Sequence, residues 1–196
     1  MKAFKFRGAE NPQFATDILR NNRVHCADWH DLNDPMEGTY DTLLVDPAKR
    51  SAALRAILKQ KIKLRVCSLS ETYKSHAMWA YYASDFKGIA IEIEFPDGLL
   101  KRIDYASGAR IQHWAHDQDP YRLALDILTR KHSDWERERE LRLLVADTFY
   151  DLPPGAISRV ILGSRISSAF EKEIRDVAAG ILIQRLRIRS GELKAD

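Results

Sequence analysis

The chain has 196 residues, a length suited to one domain with a well-buried core and short for two. Hydrophobic residues make up 45% and charged residues 30%, as in ordinary soluble globular proteins, and no uninterrupted apolar run approaches the length of a membrane span. The formal net charge of +3 comes from nearly balanced acids and bases, so charge alone does not require a nucleic-acid partner.

The first half of the chain alternates short strand patterns with helical ones. Strands are predicted over residues 2–7, 24–27, 63–69 and 88–95, the last with isoleucine and glutamate alternating. Helices are predicted over residues 12–21 and 47–61, and a short aromatic helix or turn over residues 76–83. Asn11-Pro12 favours a helix start, because asparagine caps a helix and proline suits its first turn.

In the second half of the chain, strand and helix patterns also follow one another, but they do not alternate regularly. Residues 101–105 are expected to pair with strand 88–95, and further strands are predicted over residues 141–147, 157–162 and 183–189, the last closing the fold. Helices are predicted over residues 120–131 and from Ser167 to about residue 179. Residues 1–196 are therefore expected to form a single α+β domain with a mixed, largely antiparallel sheet and flanking helices.

Cys26 and Cys67 are the only cysteines, and both lie in apolar stretches. Buried, reduced thiols are the expected state, with a disulfide or a reactive thiol as the alternative. The segment Met1 to Arg7 lacks the long apolar core of a signal peptide. The sequence thus favours a soluble cytoplasmic protein without a membrane partner, and it leaves the oligomeric state open.

The most distinctive stretch is the charged run from Lys131 to Arg142, which leads directly into an apolar segment. On a strand, Glu138, Glu140 and Arg142 share one face, with the two glutamates roughly 7 Å apart. Buried together, the carboxylates require a proton or cations, and Arg142 is the nearest candidate. The alternative is a solvated helix end, where Glu138 and Arg142 pair at i,i+4 for a few tenths of a kcal/mol.

Two further segments offer polar or aromatic side chains. Asn33 and Asp34 precede a proline, a pattern that favours a turn but could also present polar groups to a ligand. Ser68 and Ser70 end a predicted strand, and Trp79 and Tyr82 follow on a short helix. Such aromatics either belong to the core or line a pocket for a flat ring. These two interpretations remain open.

Several familiar signatures are absent from the sequence, including glycine-rich phosphate loops and the His-Glu-x-x-His zinc motif. His113 and His116 have a spacing that is only weakly indicative of a metal site. Arg185, Arg187 and Arg189 alternate with apolar residues, as on a half-buried strand with one cationic face. Such a face predicts binding to nucleic acid.

Four motifs in one order resemble a widespread bacterial family catalogued as a domain of unknown function. They are Leu-Asn-Asp-Pro-Met-Glu at 32–37, Cys-Ser-Leu-Ser at 67–70, Met-Trp-Ala-Tyr-Tyr-Ala at 78–83, and Lys131 with Trp-x-x-Glu-x-Glu-x-Arg at 135–142. The resemblance spans nearly the whole chain. It implies membership of the family but no established activity, and Leu32, Met36 and Leu69 depart from the family pattern.

The layout also resembles ADP-ribosyltransferase-like toxins that modify DNA or RNA, in which an aromatic-hydroxyl element precedes a glutamate on a central strand. That resemblance implies NAD as cofactor. Glu140 or Glu138 would hold the ribose hydroxyls and favour a cationic transition state, Trp79 or Tyr82 would stack on nicotinamide, and Ser68 or Ser70 would shape the pocket. Asn33, Asp34 and Arg142 complete the expected cofactor-binding set, and Arg7 and His25 are candidates for the basic residue of the first strand.

Three hypotheses therefore stand beside one another. The first is an NAD-dependent ADP-ribosyltransferase-like enzyme of a defence or toxin system. The second is a non-catalytic module that binds a nucleotide, a nucleic acid or a protein. The third is a metal-dependent nuclease or hydrolase that uses Glu138 and Glu140.

Overall fold

The computed structural model describes residues 1–34, 38–39, 41–42, 46–105, 110–111 and 119–196. Its strands are, in chain order, β1 (Lys2–Arg7), β2 (Arg23–His25), β3 (Asp41–Thr42), β4 (Arg65–Ser70), β5 (Ile89–Glu94), β6 (Leu100–Arg102), β7 (Asp104–Tyr105), β8 (Arg110–Ile111), β9 (Arg130–Lys131), β10 (Glu140–Val145), β11 (Phe149–Asp151), β12 (Ile157–Leu162), β13 (Leu182–Arg189) and β14 (Glu192–Ala195). The α-helices are α1 (Pro12–Asn21), α2 (Pro47–Lys61), α3 (His76–Tyr82), α4 (Pro120–Leu128) and α5 (Ser168–Val177).

One large sheet organises the molecule. Its strand order is β14-β13-β12-β5-β1-β4-β10-β6, and among the described strands only β12 and β13 run parallel within it. Small two-stranded pairs join β11 to β2, β3 to β8, and β7 to β9. The predicted fold class, a mixed and largely antiparallel α+β arrangement with flanking helices, is confirmed.

Apolar residues cover both faces of this sheet. A large cluster on one face combines strand residues such as Ile91 and Leu141 with Ile18 of α1 and Phe170 of α5. A smaller cluster around Phe6 and Trp79 lies under α3. A third cluster joins α2 to α4 through residues such as Ile57 and Ile127. The alternation of apolar residues along β1, β4 and β10 thus serves two packed faces.

Several predicted boundaries and pairings were wrong. Strand β6 pairs with β10 rather than with β5, so residues 101–105 do not extend the predicted hairpin. Strand β13 is not the last, because Ser190 and Gly191 turn the chain back and β14 pairs antiparallel to it. Helix α4 ends at Leu128, three residues before the predicted end, and Thr129 closes it.

The sheet divides between β1 and β4. Strand β1 pairs with β5 at every residue from Lys2 to Arg7, but it pairs with β4 only at Phe4 and Ser70. Beyond that position the two strands separate, and the Lys5 ammonium donates to the main-chain carbonyl of Ser68 at 2.7 Å. A side-chain hydrogen bond thus replaces the missing ladder, and an opening forms within the sheet.

Candidate functional site

A cavity of about 320 Å³ occupies this opening. Its wall combines side chains from β1, β2, β4 and α3 with the segment that precedes β10. Its polar lining residues, apart from those at the mouth, are Lys5, Arg7, His25, Asn33, Ser68, Tyr82, Lys131, Glu138 and Glu140. Residues distant in the sequence therefore meet around one hollow.

Glu138 reaches the cavity by a route that differs from the prediction. It does not lie on the strand: it ends a 3-10 helix (Ser133–Glu138), and Arg139 follows with a left-handed φ of 47°. This turn lets Glu138 and Glu140 point to the same side although a strand begins only at Glu140. The hydroxyl of Ser70 holds the turn by donating to the carbonyl of Glu138 at 2.7 Å.

Both glutamates are almost fully buried, with exposed fractions of 5% for Glu138 and 4% for Glu140. The alternative of a solvated helix end is therefore wrong, and cations lie beside both carboxylates. Lys131 supplies the main one, since its ammonium lies 2.7 Å from Glu138 Oε2 and 3.0 Å from Glu140 Oε2. Two carboxylates that would otherwise repel each other share one buried positive charge.

Arg142 is the second cation, as predicted. It is fully buried, donates from Nε to Glu140 Oε1 at 2.7 Å, and donates to the carbonyl of Leu128 at 2.7 Å. Burial by itself raises the pKa of Glu140, but Arg142 and Lys131 outweigh it and lower that pKa to about 2. Glu140 is therefore ionised at neutral pH, and Arg142 supports it from behind rather than lining the cavity.

Tyr82 and Asn33 extend the network toward solvent. The Tyr82 hydroxyl donates to Glu138 Oε1 at 2.5 Å and accepts from Asn33 Nδ2 at 2.6 Å. Burial and the Glu138 carboxylate raise the pKa of Tyr82 well above its ordinary value, so the phenol remains a donor. Helix α3 is tied to the glutamate segment because the Ser75 hydroxyl donates to the carbonyl of Arg137 at 3.2 Å.

The opposite wall of the cavity is basic. Lys5 and Arg7 project from β1, and the Nε of Arg7 is buried without a hydrogen-bond partner among the described residues. Partial burial of the ring, with the charges of Arg7 and Lys5, lowers the pKa of His25, so the imidazole is neutral at neutral pH. Phe14 lies 5.9 Å from the Arg7 guanidinium and is half exposed at the cavity edge.

Besides Arg142, three predicted site residues do not line the cavity. Trp79 is fully buried beside Phe6 and Phe86, and its indole donates to the carbonyl of Tyr73 at 2.6 Å. This position gives it a role in the core, and Tyr82 is the aromatic of α3 that reaches the cavity. Ser70 is buried, and its hydroxyl donates to the main-chain carbonyl of Glu138. Asp34 is also buried and is not among the residues that line the cavity.

Sequence reasoning placed Ser68, Tyr82, Asn33 and both glutamates around one site, and it missed Lys5 and Lys131. Lys131 precedes the glutamates in the motif that carries the resemblance to a bacterial family, and this position was the available signal. Lys5 alternates with Phe4 and Phe6 in β1, which indicated a polar face without indicating its neighbours. The proline that follows Asp34 and the pair His113 and His116 lie outside the described residues.

The predicted nucleic-acid residues lie on β13, away from the cavity lining. Arg185 pairs with Glu171, while Arg187 and Arg189 pair with Asp196 at 2.8 Å and 3.5 Å. Each of these three arginines therefore forms an ion pair with an acidic side chain. Among the described residues, no helix combines the length and apolar character that crossing a membrane requires.

No protein-family model, curated protein or solved structure matches the chain. The fold and the site therefore define it as an α+β protein whose split sheet encloses a cavity with paired buried glutamates at one end and basic residues at the other.

The depressed pKa of Glu140 predicts a specific acid sensitivity. Its stabilising contribution is complete above the ordinary glutamate pKa of 4.5 and is lost as pH falls from about 5 to about 2. We expect Glu140 to account for roughly 3 kcal/mol of the acid-induced loss in free energy of unfolding. Urea denaturation at several pH values measures this, and Glu140→Gln should show a shallower decline than the wild type. Parallel declines would contradict the expected ionic state.

Proposed function

We propose that the cavity binds NAD and that the protein is an NAD-dependent ADP-ribosyltransferase-like enzyme. The observation that carries this proposal is the meeting of Arg7 and His25 with Ser68, Tyr82 and the two glutamates around one cavity. These residue types were expected to meet if the resemblance to that class of enzyme holds. The proposal does not depend on Trp79, because Tyr82 can supply the aromatic surface.

The charge distribution suits a dinucleotide. Lys131 and Arg142 offset the charges of Glu138 and Glu140, whereas Lys5 and Arg7 can receive phosphate oxygens on the opposite wall. Glu10 and Asp31 lie at the mouth and are solvent exposed, so they contribute less to the field inside. A ligand with phosphates at one end and sugar hydroxyls at the other complements this arrangement.

Glu138 is placed to contact the ribose, because its Oε1 atom already accepts a hydrogen bond from a hydroxyl group, that of Tyr82. A sugar hydroxyl can take the place of the phenol. In the reaction, the bond between the ribose C1′ and the nicotinamide nitrogen breaks, and the bonding electrons neutralise the pyridinium ring. The acceptor would then form a new bond to C1′ and release its proton to solvent, while the ionised Glu140 would stabilise the positive charge that develops on the sugar.

NAD turnover tests the proposal. The wild type should release nicotinamide, and Glu140→Gln or Glu138→Gln should lower the rate at least about 100-fold, the scale of losing one electrostatic contact to a transition state. Glu136→Gln is a matched control, since Glu136 is exposed in the same charged run. Circular dichroism establishes that each variant folds. Absence of NAD binding at millimolar concentration would refute the proposal, and binding without turnover would indicate a binding module instead.

The metal-dependent alternative is less well supported. The ammonium of Lys131 already lies between the two carboxylates, at the place where a divalent ion would bridge them. Among the described residues, no group of three or more histidine, cysteine, aspartate or glutamate side chains is arranged to hold a metal ion. Cleavage of DNA or RNA that requires added Mg²⁺ and fails in Glu138→Gln would reverse this preference.

Nucleic-acid binding through Arg185, Arg187 and Arg189 remains a separate prediction. If these arginines contact phosphates, the affinity for single-stranded DNA should fall steeply as salt concentration rises. Each lost contact should reduce the slope of the logarithm of the binding constant against the logarithm of salt concentration by about 1. Fluorescence anisotropy of wild type and Arg187→Ala, at increasing NaCl, measures both quantities. Affinity that is undetectable or independent of salt would remove the prediction, and the arginines would then serve only their ion pairs with Glu171 and Asp196.

A further inference from the structure

The two cysteines face each other across neighbouring backbone segments. Ala27 and Val66 form an antiparallel bridge with both main-chain hydrogen bonds, at 2.8 Å and 2.9 Å. The preceding residue of one segment then lies opposite the following residue of the other, which pairs Cys26 with Cys67. The two residues of such a pair exchange no main-chain hydrogen bonds with each other, and their Cα atoms lie about 4.5 Å apart. This separation falls within the range of about 4.4–6.8 Å that a disulfide spans.

The two thiols belong to one apolar cluster. Both are free and fully buried, and residues that lie opposite each other in an antiparallel pair direct their side chains to the same side. The interaction with Cys26 and the charges of Lys5 and Arg7 lower the pKa of the Cys67 thiol, although burial opposes this effect. Since the thiolate is the nucleophilic form of cysteine, Cys67 is the sulfur prepared to react.

The pair lies directly behind the cavity wall. His25 and Ala27 flank Cys26, Val66 and Ser68 flank Cys67, and all four flanking residues line the cavity. Successive residues of a strand point to opposite faces, so the two sulfurs lie on the other side of the backbone from these lining side chains. The route open to a small oxidant is the opening between β1 and β4, next to Ser68 and Cys67. The segments that carry residues 26 and 67 are connected by that isolated bridge and by an ion pair between Arg65 and Asp28 at 2.8 Å.

We propose that Cys26 and Cys67 are a modification site at which hydrogen peroxide produces a reversible intrachain disulfide that fixes the cavity wall. The Cys67 thiolate attacks one peroxide oxygen, the O–O bond breaks, hydroxide leaves, and Cys67 becomes a sulfenic acid. The Cys26 sulfur then attacks the Cys67 sulfur, the S–S bond forms, and hydroxide leaves and takes up the Cys26 proton as water. Overall, two thiols are oxidised and one peroxide is reduced to two waters.

The disulfide changes what holds the cavity together. It connects the end of β2 covalently to β4, beside the opening where β1 and β4 separate. His25 and Ser68 are thereby held at a fixed separation across the wall. The inference is independent of NAD, because it requires only the position of the thiols and the access that the cavity provides.

Peroxide treatment of the native full-length chain tests this inference. Titratable thiols should fall from two per chain to none, the mass should fall by two hydrogens, and a non-reducing digest should contain a peptide that links Cys26 to Cys67. Dithiothreitol should restore both thiols, and the oxidised chain should melt at a higher temperature than the reduced one. In Cys26→Ser, dimedone should instead trap a sulfenic acid on Cys67.

Three results would overturn it. The thiols of the native chain could remain fully alkylatable after peroxide treatment and subsequent unfolding, which would mean that burial makes them inert. The linked peptide could appear only when oxidation is performed on unfolded chains. Finally, cross-links could form between chains rather than within one chain. Because each of these is read on the wild type, the test does not depend on the folding of the serine variant.

Discussion

Replacing Lys131 with methionine is expected to reduce the free energy of unfolding by about 3–5 kcal/mol at neutral pH, the scale of leaving buried charges without their partner. The variant removes the ammonium that contacts both Glu138 and Glu140, and methionine fills similar space without a charge. Two carboxylates with exposed fractions of 5% and 4% would then face each other. Urea denaturation measures the loss.

The pH dependence of this loss distinguishes electrostatics from packing. Without Lys131, the glutamates gain protons more readily in the folded state, so the deficit of Lys131→Met should shrink as pH falls from about 8 to about 5. Lys172→Met is the matched control, because Lys172 is 79% exposed and pairs with Asp176 on α5. It should change stability by less than about 0.5 kcal/mol. If Lys131→Met lowered the free energy of unfolding by less than about 1 kcal/mol, the conclusion that Glu138 and Glu140 share the buried charge of Lys131 would be contradicted.

Replacing Trp79 with alanine should destabilise the fold by about 3–5 kcal/mol, the cost of removing a large buried aromatic. Trp79 has no exposed surface and contacts Phe6 and Phe86 in the cluster beneath α3. The fraction of Trp79→Ala that remains folded should still bind ligands in the cavity, because Trp79 does not line the cavity. Thermal and urea unfolding measure the first effect.

Tyr81→Ala provides the control on the same helix, since Tyr81 is 73% exposed and should contribute less than about 0.5 kcal/mol. Trp79→Phe separates the two interpretations of this residue without emptying the core. If Trp79 belongs to the core, this variant loses some stability and keeps its NAD affinity. Loss of NAD affinity with unchanged stability would restore the ligand-stacking interpretation.

Local patterns predicted many secondary-structure elements and the fold class. Helix α2 occupies the predicted span from Pro47 to Lys61, and Asp46 caps it by accepting from two backbone amides. The alternation of Ile and Glu predicted β5 within one residue at each end. These features depend on neighbours in the sequence, where periodicity, caps and proline carry the information.

Pairings between distant strands could not be derived in the same way. Strand β6 could pair with β5 or with β10, because the two strands present residues of similar polarity. It pairs with β10, where Leu100 lies opposite Leu143 in the same apolar cluster. The separation of β1 from β4 is also invisible in the sequence, because Lys5 differs little from any strand-borne lysine until its ammonium is seen bonded to Ser68. The cavity arises from that separation.

The glutamate pair shows the same limit at the site. A period of two predicted correctly that Glu138 and Glu140 would face one side, but the backbone achieves this with a left-handed Arg139 rather than with a continuous strand. Lys131 precedes them by 7 and 9 residues, and it returns to them because β9 and the 3-10 helix reverse the chain. Burial then selects the arrangement in which each carboxylate has a cation.

A structure of the protein soaked with NAD is the most direct test of the cavity as a dinucleotide site. We expect the phosphates beside Lys5 and Arg7, and a ribose hydroxyl within hydrogen-bond distance of Glu138, where it displaces the Tyr82 hydroxyl. An empty cavity at saturating NAD, or NAD bound elsewhere on the surface, would contradict the assignment.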